Sequence, residues 1–512
     1  MKKIFSLMLI FTLSILLICC NEGDKEIKME SKGSMESSII NSSSNNIESS
    51  SAISSSEALI NESSNDTSSN IESSKENDEI DYSHAIFASP SGLGDGSVNN
   101  PCSILDGINK LSMNNNELYL YPGTYNLNQV IVLNDKGTKD SYYKISSLQS
   151  GKVILDFGKN YRERQEINGY YNKEKAKGIV IKGEYYHIKG LTVTNCGSSG
   201  IHLVGSYNIV ENCILAYNGN TGLNISSPST NPKETWAHDN LVLNCTSYGN
   251  YDWDRETNQG EDADGFACKL TSGANNIFDG CISYNNSDDG WDLFTKQKTG
   301  RIGSVTIKNC VAFNNGYSIL GEDLKNGNGF KLGGRAIEVD HYVYNSIAFN
   351  NKANGFDDNS NPGTITLKNC TGYNNGKRNF ATGRFLDENN TYTSTWYEGE
   401  DLMGPIENVP KSHNIYENII SYNGALDDSY SGSAINCYFY LVDNGYNYFE
   451  NGSCNSKYNI GNQIDLFNPF NSEEIDLSDL DNIHYLYRNS DNTVNLNGFL
   501  RIKDNYSFGA SL

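Results

Sequence analysis

From about residue 81 the chain is built of short runs in which every second residue is apolar, and most runs end on Asn or Gly. A period of two is the signature of a strand with one buried face. The first elements read as a strand at Phe87-Ala88-Ser89-Pro90, a glycine-rich loop from Gly92 to Gly96, and a short amphipathic helix from Ile104 to Leu111. Leu118-Tyr119-Leu120-Tyr121-Pro122-Gly123-Thr124-Tyr125 follows as strand, turn, strand. An opening helix suits a stack of coils, whose first member otherwise exposes an apolar end.

Beyond residue 150 one pattern recurs: a β-rich run, Asn-Cys, an apolar strand, then an Asn-rich turn. Val193-Thr194-Asn195-Cys196, Val210-Glu211-Asn212-Cys213, Val242-Leu243-Asn244-Cys245, Ile307-Lys308-Asn309-Cys310 and Leu367-Lys368-Asn369-Cys370 are the clear copies. The economical unit is a coil of roughly 22–26 residues with three short strands, which is a parallel β-helix. Asn tolerates the left-handed corners between strands, and stacked Asn side chains would form hydrogen-bonded ladders. Cys196, Cys213, Cys245, Cys281, Cys310 and Cys370 are read as one repeat position, a column of stacked buried thiols. Cys437 and Cys454 lie outside that column and are the expected disulfide pair.

Four segments break the pattern informatively. Asp264-Gly265-Phe266-Ala267, Asp289-Gly290-Trp291-Asp292, Asn328-Gly329-Phe330-Lys331 and Asn354-Gly355-Phe356-Asp357 each read polar, Gly, aromatic, variable. As successive coils they stack about 4.8 Å apart. The aromatics then form an inward ladder. The neighbouring outward column reads Ala267, Asp292, Lys331, Asp357, and the column before the glycine reads Asp264, Asp289, Asn328, Asn354.

Composition narrows the function. The formal net charge of −23 offers no basic stripe for phosphates, which argues against nucleic acid. An acidic ligand would need a local cation. Neither a Cys-x-x-Cys nor a histidine cluster suggests zinc, and His187, His202 and His238 are read as structural. Asp264 and Asp288 are 24 residues apart, one coil, so Asp264, Asp288, Asp289 and Asp292 converge on adjacent rungs. A single Asp-Gly is most often a solvated turn. Four stacked carboxylates instead repel one another unless a cation holds them, and calcium with its 6–8 oxygen ligands suits such a site. Lys331, one rung beyond Asp292, is either an exposed ion-pair partner or a general base lowered by the metal and by shielding. Gly333-Gly334 is read as space for a bulky polymer, with Arg335 and Lys269 as substrate-binding cations.

Asp262-Ala263-Asp264-Gly265-Phe266, Asp288-Asp289-Gly290-Trp291-Asp292 and Gly329-Phe330-Lys331 together resemble the family 9 polysaccharide lyases, a group of pectate lyases. The resemblance covers roughly residues 82–510. It implies an all-β, single-stranded right-handed parallel β-helix with a short N-terminal capping helix. It also implies calcium on Asp264, Asp288, Asp289 and Asp292, Lys331 as the base, and β-elimination on polygalacturonate or pectin. A monomer is expected. The alternatives are a β-helix glycoside hydrolase, which needs two flanking carboxylates instead of a lysine, and a non-catalytic glycan-binding surface protein.

Residues 1–20 begin Met1-Lys2-Lys3 and continue apolar from Ile4 to Ile18, ending at Cys19-Cys20. This reads as a secretory signal of lipoprotein type with Cys20 modified, an ordinary cleaved signal being the alternative. Residues 21–80 are Ser-, Asn- and Glu-rich with too little apolar surface to fold, and read as a disordered tether. The folded body is 81–512, ending in a tail expected to pack on the coils. The expectation is therefore an exported protein, on the cell surface, in the periplasm or secreted, touching membrane only through an N-terminal lipid anchor.

Overall fold

The computed structural model describes residues 82, 85–149, 152–158, 166–167, 170–171, 176–252, 259–335, 337–383, 397–398, 401–402, 414–441, 446–453, 469–503 and 508–512. The signal segment, the tether and Cys454 lie outside the described residues.

Each coil carries three short strands. In one, Tyr186–Lys189, Leu191–Thr194 and Ile201–Leu203 follow in order, and the next repeats them as Ile209–Glu211, Ile214–Ala216 and Leu223–Ile225. Every strand pairs in parallel with its equivalent one coil on, so Ile201 stacks on Leu223 and Leu223 on Phe266. Two faces join into one extended sheet, and the third is a separate ten-stranded sheet. The fold is a right-handed parallel β-helix. The helix Ile104–Lys110 stands at its start, its N-terminus capped by Ser103 Oγ accepting from Asp106 N–H, with Ile104 and Gly107 turned into the core.

The Asn-rich corners have a conformational cause. Each regular coil turns twice through the left-handed region, at Asn309 and Asn314, Asn345 and Asn350, Asn369 and Asn374, then Asn418 and Asn423. Asn adopts that region at lower cost than other residues with a side chain. A second set of asparagines is buried. From Asn218 through Asn250, Asn286, Asn315 and Asn351 to Asn375, each Nδ2 donates to the next Oδ1 at 2.8–3.0 Å.

The thiol column is real but differs from expectation in one member. Cys213, Cys245, Cys281, Cys310 and Cys370 are buried in the core, and Ser346 takes the place between the last two, accepting from Cys310 N–H at 3.2 Å. Cys196 is a correction. It follows the second strand of its coil, Leu191–Thr194, and its N–H donates to Asn218 Oδ1. It therefore heads the asparagine ladder, because Asn-Cys fits either left-handed corner. Cys437 of the expected disulfide is buried.

Outside the coils a second aromatic stack runs Tyr248, Tyr284, Phe313 and Phe349, with ring centroids 4.8–4.9 Å apart. The C-terminal residues cover it. Phe499 meets Phe349 edge-on at 4.9 Å, and Phe470, Ile483, Val494, Leu496 and Leu512 complete that apolar layer. The ten-stranded sheet carries the four unusual segments.

Candidate active site and metal centre

The site is assembled by a core ladder. Phe266, Trp291, Phe330, Phe356 and Phe380 are in register on successive rungs and fully buried. Their rings stack at 5.0, 4.7, 4.9 and 4.8 Å. Inward aromatics force their neighbours outward. The outward column consequently aligns Ala267, Asp292, Lys331 and Asp357, as the spacing predicts. The preceding glycines are a packing requirement. A Cβ on Gly290 would sit 2.5 Å from the Gly329 carbonyl oxygen one rung on, and one on Gly329 would sit 2.6 Å from that of Gly355.

The column before the glycines is a hydrogen-bonded stack. Asp264 Oδ1 accepts from Asp289 N–H at 3.3 Å, and Asp289 Oδ1 accepts from both N–H and Nδ2 of Asn328 at 2.8 Å. One oxygen of each aspartate is thereby tied to the scaffold. Asp264 Oδ2 accepts from Thr221 Oγ1 at 3.2 Å, and Asp289 Oδ2 is buried. Oxygens of Asp264, Asp288 and Asp289 lie within 4.8 Å of one another, and all three residues are buried. Asp288 Oδ1 is buried without a hydrogen-bond partner.

Two lysines hold the rest of the charge. Lys269 Nζ bridges Asp264 Oδ2 at 2.6 Å and Asp292 Oδ2 at 2.7 Å. Lys331 Nζ lies 3.0 Å from Asp289 Oδ2, an ion pair without hydrogen-bond alignment, and 3.5 Å from Asp292 Oδ1. Asp292 Oδ1 also accepts from Phe294 N–H at 3.0 Å.

The electrostatics follow from this geometry. Burial pushes the Asp264 carboxyl up to about 8, with Lys269 opposing and Asp292 and Asp289 reinforcing the shift. Burial also raises Asp288, well above the carboxylate range, and Asp289, both with help from neighbouring carboxylates. Burial would raise Asp292 as well, but Lys269 and Lys331 outweigh it and hold the group below its ordinary value. For Lys331, burial pulls downward and is overcome by Asp289, Asp292, Asp288 and Asp264, which keep the ammonium form well above the usual range. The protein has gathered more negative charge than its two lysines neutralise. An all-oxygen donor set in which Asp288 Oδ1 and Asp289 Oδ2 are buried without a hydrogen bond fits a hard divalent cation such as calcium.

The structure thus brings Asp264, Asp288, Asp289, Asp292, Lys331 and Lys269 into one cluster. Arg335 stands at its flank. Its guanidinium carbon is 5.8 Å from the Phe294 ring centroid, while Lys331 Nζ is 5.5 Å from the same ring. Lys331 and Arg335 line a cleft of about 560 Å³ together with Asn328, Asn354, Asp357 and Lys377. Gly333-Gly334 does not leave open space. A Cβ on Gly334 would lie 2.3 Å from the Phe294 ring, and one on Gly333 would lie 2.4 Å from Asn361 Cβ. The glycines are there because Phe294 and Asn361 pack against the backbone.

Sequence reasoning missed Phe294, a lone aromatic between Leu293 and Thr295 with no repeat to flag it. His202, read as structural, is buried and bonded to Lys177 Nζ and to Ser226. Register places it in the same outward column as Asn224, Ala267, Asp292 and Lys331.

A sequence model of the Pel9A-like, right-handed β-helix region matches residues 86–391. Pectate lyase L of Paenibacillus polymyxa (strain SC2) is 44% identical over 270 residues, 52% of this chain and 57% of that protein. Pectate lyase L of Thermoclostridium stercorarium is 36% identical over 368 residues, 70% of this chain and 26% of that protein. The chain therefore spans little more than half of the first relative and about a quarter of the second. The crystal structure of pectate lyase Pel9A superimposes with a TM-score of 0.59 at 26% identity, covering 82% of this chain and 90% of that one. A rhamnogalacturonan lyase structure, at 19% identity and a TM-score of 0.58 over 83% of this chain and 99% of that one, shares the fold.

Proposed function

The chain belongs to the Pel9A-like right-handed β-helix family, and on that premise we propose that it is a calcium-dependent pectate lyase cleaving α-1,4-galacturonan by β-elimination. The observation that carries the reading is the placing of Lys331 Nζ 3.0 Å from Asp289 and 3.5 Å from Asp292, beside three clustered aspartates.

Asp264, Asp288, Asp289 and Asp292 would hold the ion. Bound there, calcium supplies the positive charge that neutralises a uronate carboxylate and acidifies the proton on the adjacent carbon. Lys331 Nζ is the base. Once the surrounding carboxylates are engaged elsewhere, burial is the influence left on Lys331, and it favours the neutral amine that accepts a proton. Lys331 then takes the C5 proton, the C5–H electron pair forms the C4–C5 double bond, and the C4–O bond breaks. The departing oxygen takes a proton from water. Phe294 holds Lys331 and Arg335 over its ring and shields the amine from solvent on one side. Arg335 and Lys269 are proposed to pair with uronate carboxylates.

The same reading assigns residues 1–20 to an export signal of lipoprotein type with Cys20 lipidated, 21–80 to a tether, and 81–512 to the lyase body. The enzyme would act as a monomer outside the cytoplasm. Incubation with polygalacturonate should raise ultraviolet absorbance from unsaturated uronides in the presence of calcium, and a chelator should abolish the rise. New reducing ends without that absorbance would replace the lyase by a hydrolase, and polymer binding without either signal would replace it by a glycan-binding protein.

A further inference from the structure

The ten-stranded sheet does not end at the aspartate cluster. A second cleft of about 990 Å³ opens on the rungs that precede it, spanning the strands Ile179–Ile181, Ile201–Leu203, Leu223–Ile225 and Phe266–Cys268. Three inter-rung steps make it about 14 Å long, room for a run of sugars. Its walls carry Lys182, Lys233, Lys269, Lys296 and Lys298, and among the described residues no Asp or Glu lines it. That is against the trend of a chain with 62 Asp and Glu to 39 Lys and Arg.

The lysines are arranged by the fold. Lys182 directly follows the strand Ile179–Ile181 and Lys269 directly follows Phe266–Cys268, so both occupy the same position three rungs apart. Lys182 and Lys298 form no ion pair among the described residues. Lys233 Nζ is set over the Trp236 ring at 5.3 Å from its centroid, which fixes an otherwise mobile cation at the rim. On the floor, His202 Nε2 donates to Ser226 at 2.9 Å, leaving Nδ1 to accept from the buried Lys177 Nζ at 2.8 Å. Lys269 belongs to this cleft and to the aspartate cluster alike, since it ion-pairs with Asp264 and Asp292. The two clefts are therefore consecutive stretches of one face.

We infer that the lysine-lined cleft is an extended polyanion-binding stretch of the active-site groove, which holds the carboxylates of several acidic sugars beyond the one at Lys331. The inference rests on the lyase reading for the position of the cleaved sugar, but its binding claim stands apart from cleavage. Separate exposed ion pairs contribute modestly and are screened by salt, so binding should depend on the number of charges engaged.

The test is retention of the full chain in native gels containing polygalacturonate or its fully methyl-esterified form. It compares wild type with Lys182→Ala/Lys233→Ala/Lys298→Ala and with an equal-charge control, Lys110→Ala/Lys144→Ala/Lys368→Ala. Wild type and control should be retarded by polygalacturonate at low salt and not by the ester. The cleft variant should bind about ten-fold more weakly, with its KM rising more for long chains than for short ones. Equal retention of the cleft variant and wild type, or equal retardation by the ester, would overturn the inference. Retarded wild type that releases no unsaturated product would sink the lyase reading and leave the cleft assignment standing. Cleavage by a cleft variant that binds normally would do the reverse.

Discussion

Lys269 Nζ lies 2.6 Å from Asp264 Oδ2, so a lysine and a metal ion would compete for the same carboxylate oxygen. The side chain is nearly enclosed, and its ammonium form is held well above the usual range because Asp264 and Asp292 outweigh the opposing effect of burial. Lys269→Met removes the competing cation from the cluster while keeping the apolar stem. Calcium titration by calorimetry should show binding about ten-fold tighter than wild type near neutral pH. Unchanged or weaker binding would mean that Lys269 organises the site and does not compete in it.

The raised carboxyls predict how metal-free stability varies with pH. A carboxyl whose folded pKa exceeds its unfolded value stabilises the fold while protonated, and that contribution disappears as pH rises through the folded pKa. Asp264 moves from 3.8 to about 8, so its share is lost between about pH 4 and pH 8, with Asp288 and Asp289 acting in the same direction. Asp292 is lowered, so its stabilisation is full across that window and fails only in acid. In chelator the Tm should therefore fall by several degrees between pH 5 and pH 8. Added calcium, which favours the ionised carboxylates, should restore more of it at pH 8 than at pH 5. A Tm flat with pH in chelator would remove the argument that these carboxyls titrate with folding.

Lys331→Ala isolates the proton transfer. The backbone hydrogen bonds of its rung and the stacking of Phe330 on Trp291 and Phe356 do not depend on the amine. Loss of a positioned base costs about 10²–10⁴-fold in rate, so kcat on polygalacturonate should drop by that factor with the far-ultraviolet spectrum unchanged. Calcium should still bind, since Asp264, Asp288 and Asp289 remain and a neighbouring positive charge has gone. A variant retaining a tenth of wild-type activity would place the base elsewhere.

The parts of this arrangement visible in sequence are those that the repeat itself encodes. Phe266, Trp291, Phe330 and Phe356 announce a shared register because each follows a glycine that one rung's backbone forbids from bearing a Cβ, and the register places Asp292 beside Lys331 without further information. Lys269 reads as a cation near the site, but its bridge to Asp292 depends on how a long side chain bends back across the rung. Cys196 reads as a member of the thiol column because both corners of a coil select left-handed Asn, so Asn-Cys does not say which corner it marks. Gly333-Gly334 reads as open space, since sequence does not show that Phe294 fills it.

The asparagine ladder supplies the last prediction. Asn286 Oδ1 accepts from N–H and Nδ2 of Asn250, and its own Nδ2 donates to Asn315 Oδ1, Ser247 O and Ser283 Oγ. It is fully buried. Asn286→Ala leaves the Asn250 N–H without its acceptor, takes from Asn250 Nδ2 its bond along the ladder, and leaves Asn315 Oδ1 only the backbone N–H of residue 286; a buried unsatisfied group costs about 1–3 kcal/mol and each lost hydrogen bond about 1 kcal/mol. The variant should lose about 2–5 kcal/mol in chemical denaturation, a large change for a substitution that removes no apolar contact. Asn423→Ala, at an exposed left-handed corner with a single amide bond to Asn374, should cost about 1 kcal/mol or slightly more through its backbone conformation. Equal losses from the two substitutions would show that corner geometry, and not the buried ladder, is what the asparagines contribute to the coil.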